Sequence, residues 1–223
     1  VTAFSALLFL LFAKENPPTP PGPDGSQVRA LMLDGLKHAF KVKSFWLYLF
    51  VSFIGLGIFN GMTTWVENII RPRGFTPTDA GTLGALMLVG GVLGAVIIPP
   101  FSDKQRKRQP YILWGLLLAI PGLIGITYAT NSTLLFASAF VMGFFLVSTN
   151  PIGMQYASEV THPTPEGTSN GLIQLFGQAS VVFVFIMEAL KTSDGSFTPA
   201  LILAIILLGV SAFLVTKMKD PQK

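Results

Sequence analysis

Six long apolar runs dominate the chain, at about residues 44–70, 78–101, 110–130, 133–157, 167–190 and 197–216. Each reaches the roughly 20 residues that a helix needs to cross a bilayer. The connections are short, so neighbouring spans are expected to run antiparallel. Polar residues interrupt the runs in an ordered way. The first span carries Asn60, Thr63, Thr64, Glu67 and Asn68 at spacings of three and four, and the fourth carries Ser148, Thr149, Asn150 and Gln155. In the fifth, Asn170, Gln174 and Gln178 recur every four residues, which on a helix makes one stripe about 12 Å long. Asn150-Pro151 is expected to break the fourth helix, because Pro151 cannot donate to the Val147 carbonyl. The second span, GTLGALMLVGGVLGA, places Gly90 and Gly94 four apart and reads as a packing helix. The third and sixth are almost free of strong polar groups, as suits helices that face lipid.

An amide in hydrocarbon is costly unless it pairs or meets water, so these residues belong in a bundle interior or a cavity. Gln178, Gln174 and Asn60 are therefore candidate hydrogen-bonding groups for a solute, with Asn150 and Asn170 beside them. The alternative for each is interhelical glue, worth about 0.6 kcal/mol on average. The pattern predicts an all-α membrane protein, a six-helix transmembrane bundle with one concave polar side.

The remaining chain is organised around that bundle. Residues 1–13, VTAFSALLFLLFA, are too short to span and read as the tail of a truncated transmembrane helix. Residues 14–43 form a linker whose first part, KENPPTPPGPDGS, holds five prolines. Within it, 27–42 reads as an amphipathic basic helix on the membrane surface, or else packed on a neighbouring loop. The transmembrane domain covers 44–217, and 218–223 is a short tail.

Only 12% of residues are charged, against roughly 25% in soluble domains. Lys and Arg divide unevenly between the ends of the spans. Lys14, Arg29, Lys37, Lys41, Lys43, Lys104, Arg106, Lys107, Arg108, Lys217, Lys219 and Lys223 fall on one side, and Arg71, Arg73 and Lys191 on the other. This split predicts that the linker, the 102–109 loop and the C-terminus lie in the cytoplasm, in a plasma membrane or a bacterial or archaeal inner membrane. Topology thus accounts for the net charge of +4, and no nucleic-acid partner is expected. There is no cysteine, and the two histidines, His38 and His162, lie in predicted loops. Neither a catalytic centre, a metal site nor a bound cofactor is expected, and an intramembrane enzyme lacks the residues for acid-base chemistry.

Six spans after a proline-rich linker and an amphipathic helix resemble the C-terminal half of a major facilitator superfamily transporter. LKHAFKVKSFWLYLF resembles the entry into the seventh helix of that fold, and SDKQRKR, Ser102 to Arg108, its charged motif between helices eight and nine. Here Pro99 stands where the motif has a glycine four residues before the aspartate. PIGMQYASEVTHPTPEGTSNGLIQLFGQ is similar to the feline leukaemia virus subgroup C receptor family of haem and choline-type transporters, over Gly143 to Gln178. A weaker echo runs through GIFNGMTT, Gly57 to Thr64. The resemblance places Gln178 on a substrate cavity, while Asn60 stands where eukaryotic choline carriers have a tyrosine. It also marks Asp103, Lys104, Arg106 and Arg108 as a cytoplasmic gating motif. Glu159 and Glu166, acidic and on the same side, could pair with that loop as a latch.

The resemblance implies half of a secondary active or facilitative transporter, moving a small organic solute across the lipid bilayer by alternating access. The alternative is a six-helix assembly or receptor module without transport of its own. In either case the polar face is expected to meet a partner, a missing N-terminal half or a second copy of the chain in a homodimer.

Overall fold

The computed structural model describes residues 32–220, with side chains from Asp34 onward. The readings of residues 1–31 and 221–223 lie outside that range. Among the described residues every regular element is helical, and six helices are long and apolar enough to cross a membrane. Helix α1 covers Met32–Ala39, α2 Lys43–Thr64, α3 Val66–Ile70, α4 Pro77–Gln105 and α5 Gln109–Tyr128. Helix α6 covers Ser132–Val160, α7 Glu166–Ala179, α8 Val182–Ala189 and α9 Thr198–Thr216. The six predicted spans correspond to α2 with α3, α4, α5, α6, α7 with α8, and α9.

Local chemistry sets the ends. Thr76 accepts from the Asp79 N–H, and the Asp79 carboxylate accepts from the Thr76 N–H at 2.8 Å, a capping box with Pro77 at the first helical position. Arg106, in the left-handed region at φ 51°, ends α4. The N-terminus of α5 is closed from far along the chain, where Asp220 Oδ1 accepts the N–H groups of Arg108 and Gln109 at 3.1 and 2.8 Å. The other end of α5 is closed by Arg73, whose guanidinium donates to the carbonyls of Ile126, Thr127 and Ala129 at 2.6, 3.1 and 3.3 Å. A negative group at the N-terminus and a positive group at the C-terminus both complement the helix dipole. Burial lowers the pKa of Arg73.

Helix α6 is the centre of a three-helix slab, with α4 on one side and α5 on the other. Glycines make both contacts possible. A Cβ added at Gly90 would stand 2.5 Å from the Phe140 carbonyl oxygen, and those added at Gly94 and Gly143 would fall onto the Phe144 and Met87 carbonyls. On the α5 side, a Cβ on Gly122 would lie 2.6 Å from the Met142 nitrogen. The backbones touch, and dispersion between them replaces the hydrophobic drive that lipid does not supply. The second layer is α2 with α7, α8 and α9, and α9 also packs on α5.

Three features differ from expectation. Helix α6 is continuous through Pro151. The lost backbone bond is tolerated because α6 is packed between α4 and α5, which hold it in helical geometry on both sides. The breaks fall elsewhere, at Trp65 between α2 and α3 and at Ser180-Val181 between α7 and α8. Second, α4 is not only a packing helix. Opposite its glycine face, Leu88, Val89, Val92, Leu93, Val96, Ile97 and Phe101 are exposed, so it presents as much apolar surface as the spans predicted to face lipid. Third, the amphipathic segment is described as a helix only over Met32–Ala39, which packs against α7 and the preceding loop, where Thr164 Oγ1 donates to the Gly35 carbonyl at 2.9 Å.

The glycine contacts generate a test. Gly143→Leu should lower stability by about 1–3 kcal/mol or more, because the Met87 backbone cannot yield as a side chain would. Gly84→Leu, where an added Cβ meets nothing within 4 Å, should be neutral or stabilising by up to about 1 kcal/mol. Thermal unfolding in detergent would distinguish them, and equal effects would refute the backbone-contact account.

Candidate functional site

Along α2 the residues Tyr48, Val51, Ser52, Gly55, Leu56 and Phe59 recur at helical spacing and share one face. That face meets Leu146, Val147, Thr149 and Asn150 of α6, with Leu116 of α5 behind, around a cavity of about 130 Å³. The walls are mainly apolar. The polar residues among them are Tyr48, Ser52, Thr149 and Asn150. Tyr48 is buried and its ring stands edge-on to Tyr156, with centroids 5.9 Å apart. The Tyr48 phenol lies where a side chain at position 153 would project, so Gly153 admits the ring. Asn150, at the wall of the cavity, makes no side-chain hydrogen bond among the described residues.

A second polar group lies further along α2, one turn beyond Leu56. Asn60 Nδ2 donates to Ser180 Oγ at 3.4 Å, a long bond. Ser180 sits in the break between α7 and α8, where the N–H groups of Ser180 and Val181 turn back to the carbonyls of Gly177 and Gln178 at 3.1 and 3.2 Å. The break in the first span faces it. Trp65 Nε1 donates to the Val184 carbonyl at 3.0 Å, and its ring lies 5.5 Å from that of Phe197. Leu56 connects the two polar groups, lining the cavity on one side and packing against Gly177 on the other.

The structure therefore places the predicted residues in distinct settings. Asn150 lines the cavity. Asn60 reaches the α7–α8 break two residues beyond Gln178, while Gln174 and Gln178 are exposed along α7. Asn170 is half-buried, with its Oδ1 buried and without a partner. Tyr48, Ser52, Phe59 and Ser180 were missed, because an aromatic or a serine inside an apolar run reads as ordinary core.

At the basic end the charged residues form a network around Arg108, which is 6% exposed. Its Nε and Nη2 donate to Glu159, the latter at 2.9 Å, its Nη1 donates to Ser102 Oγ at 3.2 Å, and Nη1 also pairs with Asp103. Gln155 adds a bond to Glu159 at 2.8 Å. The bond to Glu159 raises the Arg108 pKa despite the opposing effect of burial, and Asp103 adds to it. Lys104, Arg106 and Glu166 are exposed and make no ion pair among the described residues. Tyr156 Oη donates to the Lys219 carbonyl at 2.9 Å, and the Lys219 N–H reaches Ser44 Oγ at 3.4 Å, tying the end of the chain to α6 and α2.

The sequence matches the family model of the Major Facilitator Superfamily over residues 1–184 and 68–223. An uncharacterised protein of Archaeoglobus fulgidus is 32% identical over 76% of this chain and 77% of its own length. Solute carrier family 49 member A3 of Danio rerio is 29% identical over 82% of this chain and 40% of its own. The human choline/ethanolamine transporter FLVCR2 is 25% identical over 98% of this chain and 44% of its own. The chain thus spans less than half the length of these two named transporters.

Removing Glu159 should leave the buried Arg108 with Asp103 as its one carboxylate partner, and its Nε and Nη2 without a charged acceptor. Glu159→Gln is expected to cost about 1–3 kcal/mol, whereas Glu166→Gln and Lys104→Gln should stay within about 0.5 kcal/mol. Chemical denaturation in mixed micelles would measure both, and a Glu159→Gln protein as stable as the other two would dismiss the network as a structural element.

Proposed function

The chain belongs to the major facilitator superfamily, and on that basis we propose that it is one half of a transporter that moves a small organic solute by alternating access. The observation that carries this reading is the placement of two groups of polar residues along α2, the α2–α6 cavity with Asn150 and, one turn beyond Leu56, the Asn60–Ser180 contact at the α7–α8 break. A six-helix module built only for assembly has no need of a cavity, or of two broken helices facing each other, within its transmembrane layer. Discontinuous helices with irregular backbone are the usual way such proteins present polar groups to a solute.

In this proposal Asn150, Asn60, Gln174 and Gln178 offer hydrogen bonds to the solute, and Asn170 extends the stripe. Phe59 adds an aromatic wall to the cavity, able to attract an organic cation with about 0.5–2 kcal/mol. The names of the relatives make choline and ethanolamine the first solutes to try. Asp103, Arg108 and Glu159 act at the cytoplasmic end, where the network would strengthen or open as the two halves rock, with Lys104, Arg106 and Glu166 around it. The basic end lies in the cytoplasm under the positive-inside rule. The exposed amides of α7 face a second six-helix unit, an N-terminal half or another copy, across the solute pathway.

The test combines oligomeric state in lipid with thermal stability in the presence of choline, ethanolamine, haem and common metabolites. A solute at about 100 times its dissociation constant should stabilise the assembly by about 2.7 kcal/mol. Gln178→Ala should remove most of that gain without lowering the unliganded midpoint. A paired assembly that no solute stabilises would favour the assembly-module reading, and a monodisperse monomer in lipid would defeat the pairing.

A further inference from the structure

Four cations gather where α5 begins and α9 ends. Gln109 Nε2 donates to the Val215 carbonyl at 2.9 Å, and Asp220 accepts from the Arg108 and Gln109 N–H groups, so the two helix ends are held together. Arg106 and Lys107 arrive from the α4–α5 turn, and Lys217 and Lys219 follow α9. All four are exposed, and among the described residues none is in an ion pair. The nearby carboxylates are already engaged. Asp103 and Glu159 both serve Arg108, and Asp220 Oδ1 takes two backbone N–H groups.

Below this charge the outward surfaces of α5 and α9 are apolar and aromatic. Trp114 is 60% exposed and Phe213 61% exposed, and Lys217 Nζ lies 5.2 Å from the Phe213 ring centroid. Further along, Leu117, Leu118, Ile206 and Val210 are also exposed. Cations at the end, aromatic rings at interface depth and an aliphatic track beneath are complementary, in that order, to the phosphate, glycerol and acyl chains of a lipid.

We propose that the basic end of the α5–α9 seam is a binding site for an anionic phospholipid, with the phosphate held by Arg106, Lys107, Lys217 and Lys219 and the chains lying along Trp114 and Phe213. The unneutralised charge makes the headgroup anionic. The continuous apolar track makes it a membrane lipid and not a free phosphate.

Topology alone would also place cations at this end, so the experiment separates a local site from diffuse charge. The full chain is reconstituted in nanodiscs of phosphatidylcholine with a minor fraction of phosphatidylglycerol, and the lipid retained after delipidation is weighed by native mass spectrometry. Wild type should retain phosphatidylglycerol over phosphatidylcholine about tenfold. The triple variant Lys107→Gln, Lys217→Gln, Lys219→Gln should lose that preference. The matched triple Lys37→Gln, Lys41→Gln, Lys104→Gln, which removes the same charge from the same end, should keep it. Trp114→Ala with Phe213→Ala leaves every charge in place and should reduce retention severalfold. Because the chain has no cysteine, a single Ser193→Cys reporter shows by labelling that orientation is unchanged. Equal loss in both triples, or no preference in wild type, would overturn the site. Full displacement of the lipid by soluble glycerol phosphate would replace it with a free-anion site.

Discussion

The contact between α4 and α6 is backbone on backbone, and the rest of the bundle depends on it. The carbonyls of Phe144 and Met87 occupy the volumes that Cβ atoms on Gly94 and Gly143 would need. Between lipid-solvated helices there is no hydrophobic gain to drive association, so this close fit supplies the dispersion energy that holds the slab. With Gly122 of α5 against its other side, α6 cannot translate or rotate without clashing. Two features of the candidate site take their position from it. Asn150 is held toward α2, and Glu159, some two turns further on, is held toward Arg108.

The opposite layer follows another logic. Helices α2–α3 and α7–α8 are both interrupted, and an interrupted helix in hydrocarbon must find partners for its freed polar groups. Here side chains cross between the two: Asn60 of α2 donates to Ser180 in the α7–α8 break, and Trp65 at the α2–α3 break donates to the Val184 carbonyl of α8. Interhelical bonds of this kind average about 0.6 kcal/mol, and the Asn60 bond is long. Breaking it costs little, whereas shifting α6 against α4 would cost the packing of a whole interface. A firm wall and a compliant wall thus meet at α2, which borders both.

The six spans were legible because their apolar runs are long and bounded by charge, and the glycine spacing in α4 announced a close contact. The positions of the breaks were not legible. Pro151 removes one backbone bond, which α6 absorbs while remaining a helix, so the strongest local signal marked no break. The break at Ser180 lies in ASVVF, where nothing local forbids a helix. The same limit applied to the site. Spacing identified the amides of α7, yet Tyr48 and Phe59 line the cavity only because Gly153 and the α6 face leave room for them. Opposite charge on one side was enough to suggest Glu159 as a partner for the 102–109 loop. It could not choose Arg108 over its neighbours, since that choice depends on which cation is buried.

The outer surfaces are sorted by what can cover them. The seam of α5 and α9 is apolar down to a cationic rim, and the free face of α4 is apolar along much of its length. Hydrocarbon satisfies both. The exposed face of α7 carries Gln174 and Gln178, and an amide turned into acyl chains without a partner costs several kcal/mol by water-to-hydrocarbon transfer. Two such amides one turn apart would weigh against a bundle whose helices are held by contacts of less than 1 kcal/mol each. The α7 side therefore belongs against water or another polar surface. That requirement follows from desolvation alone, independent of any relative.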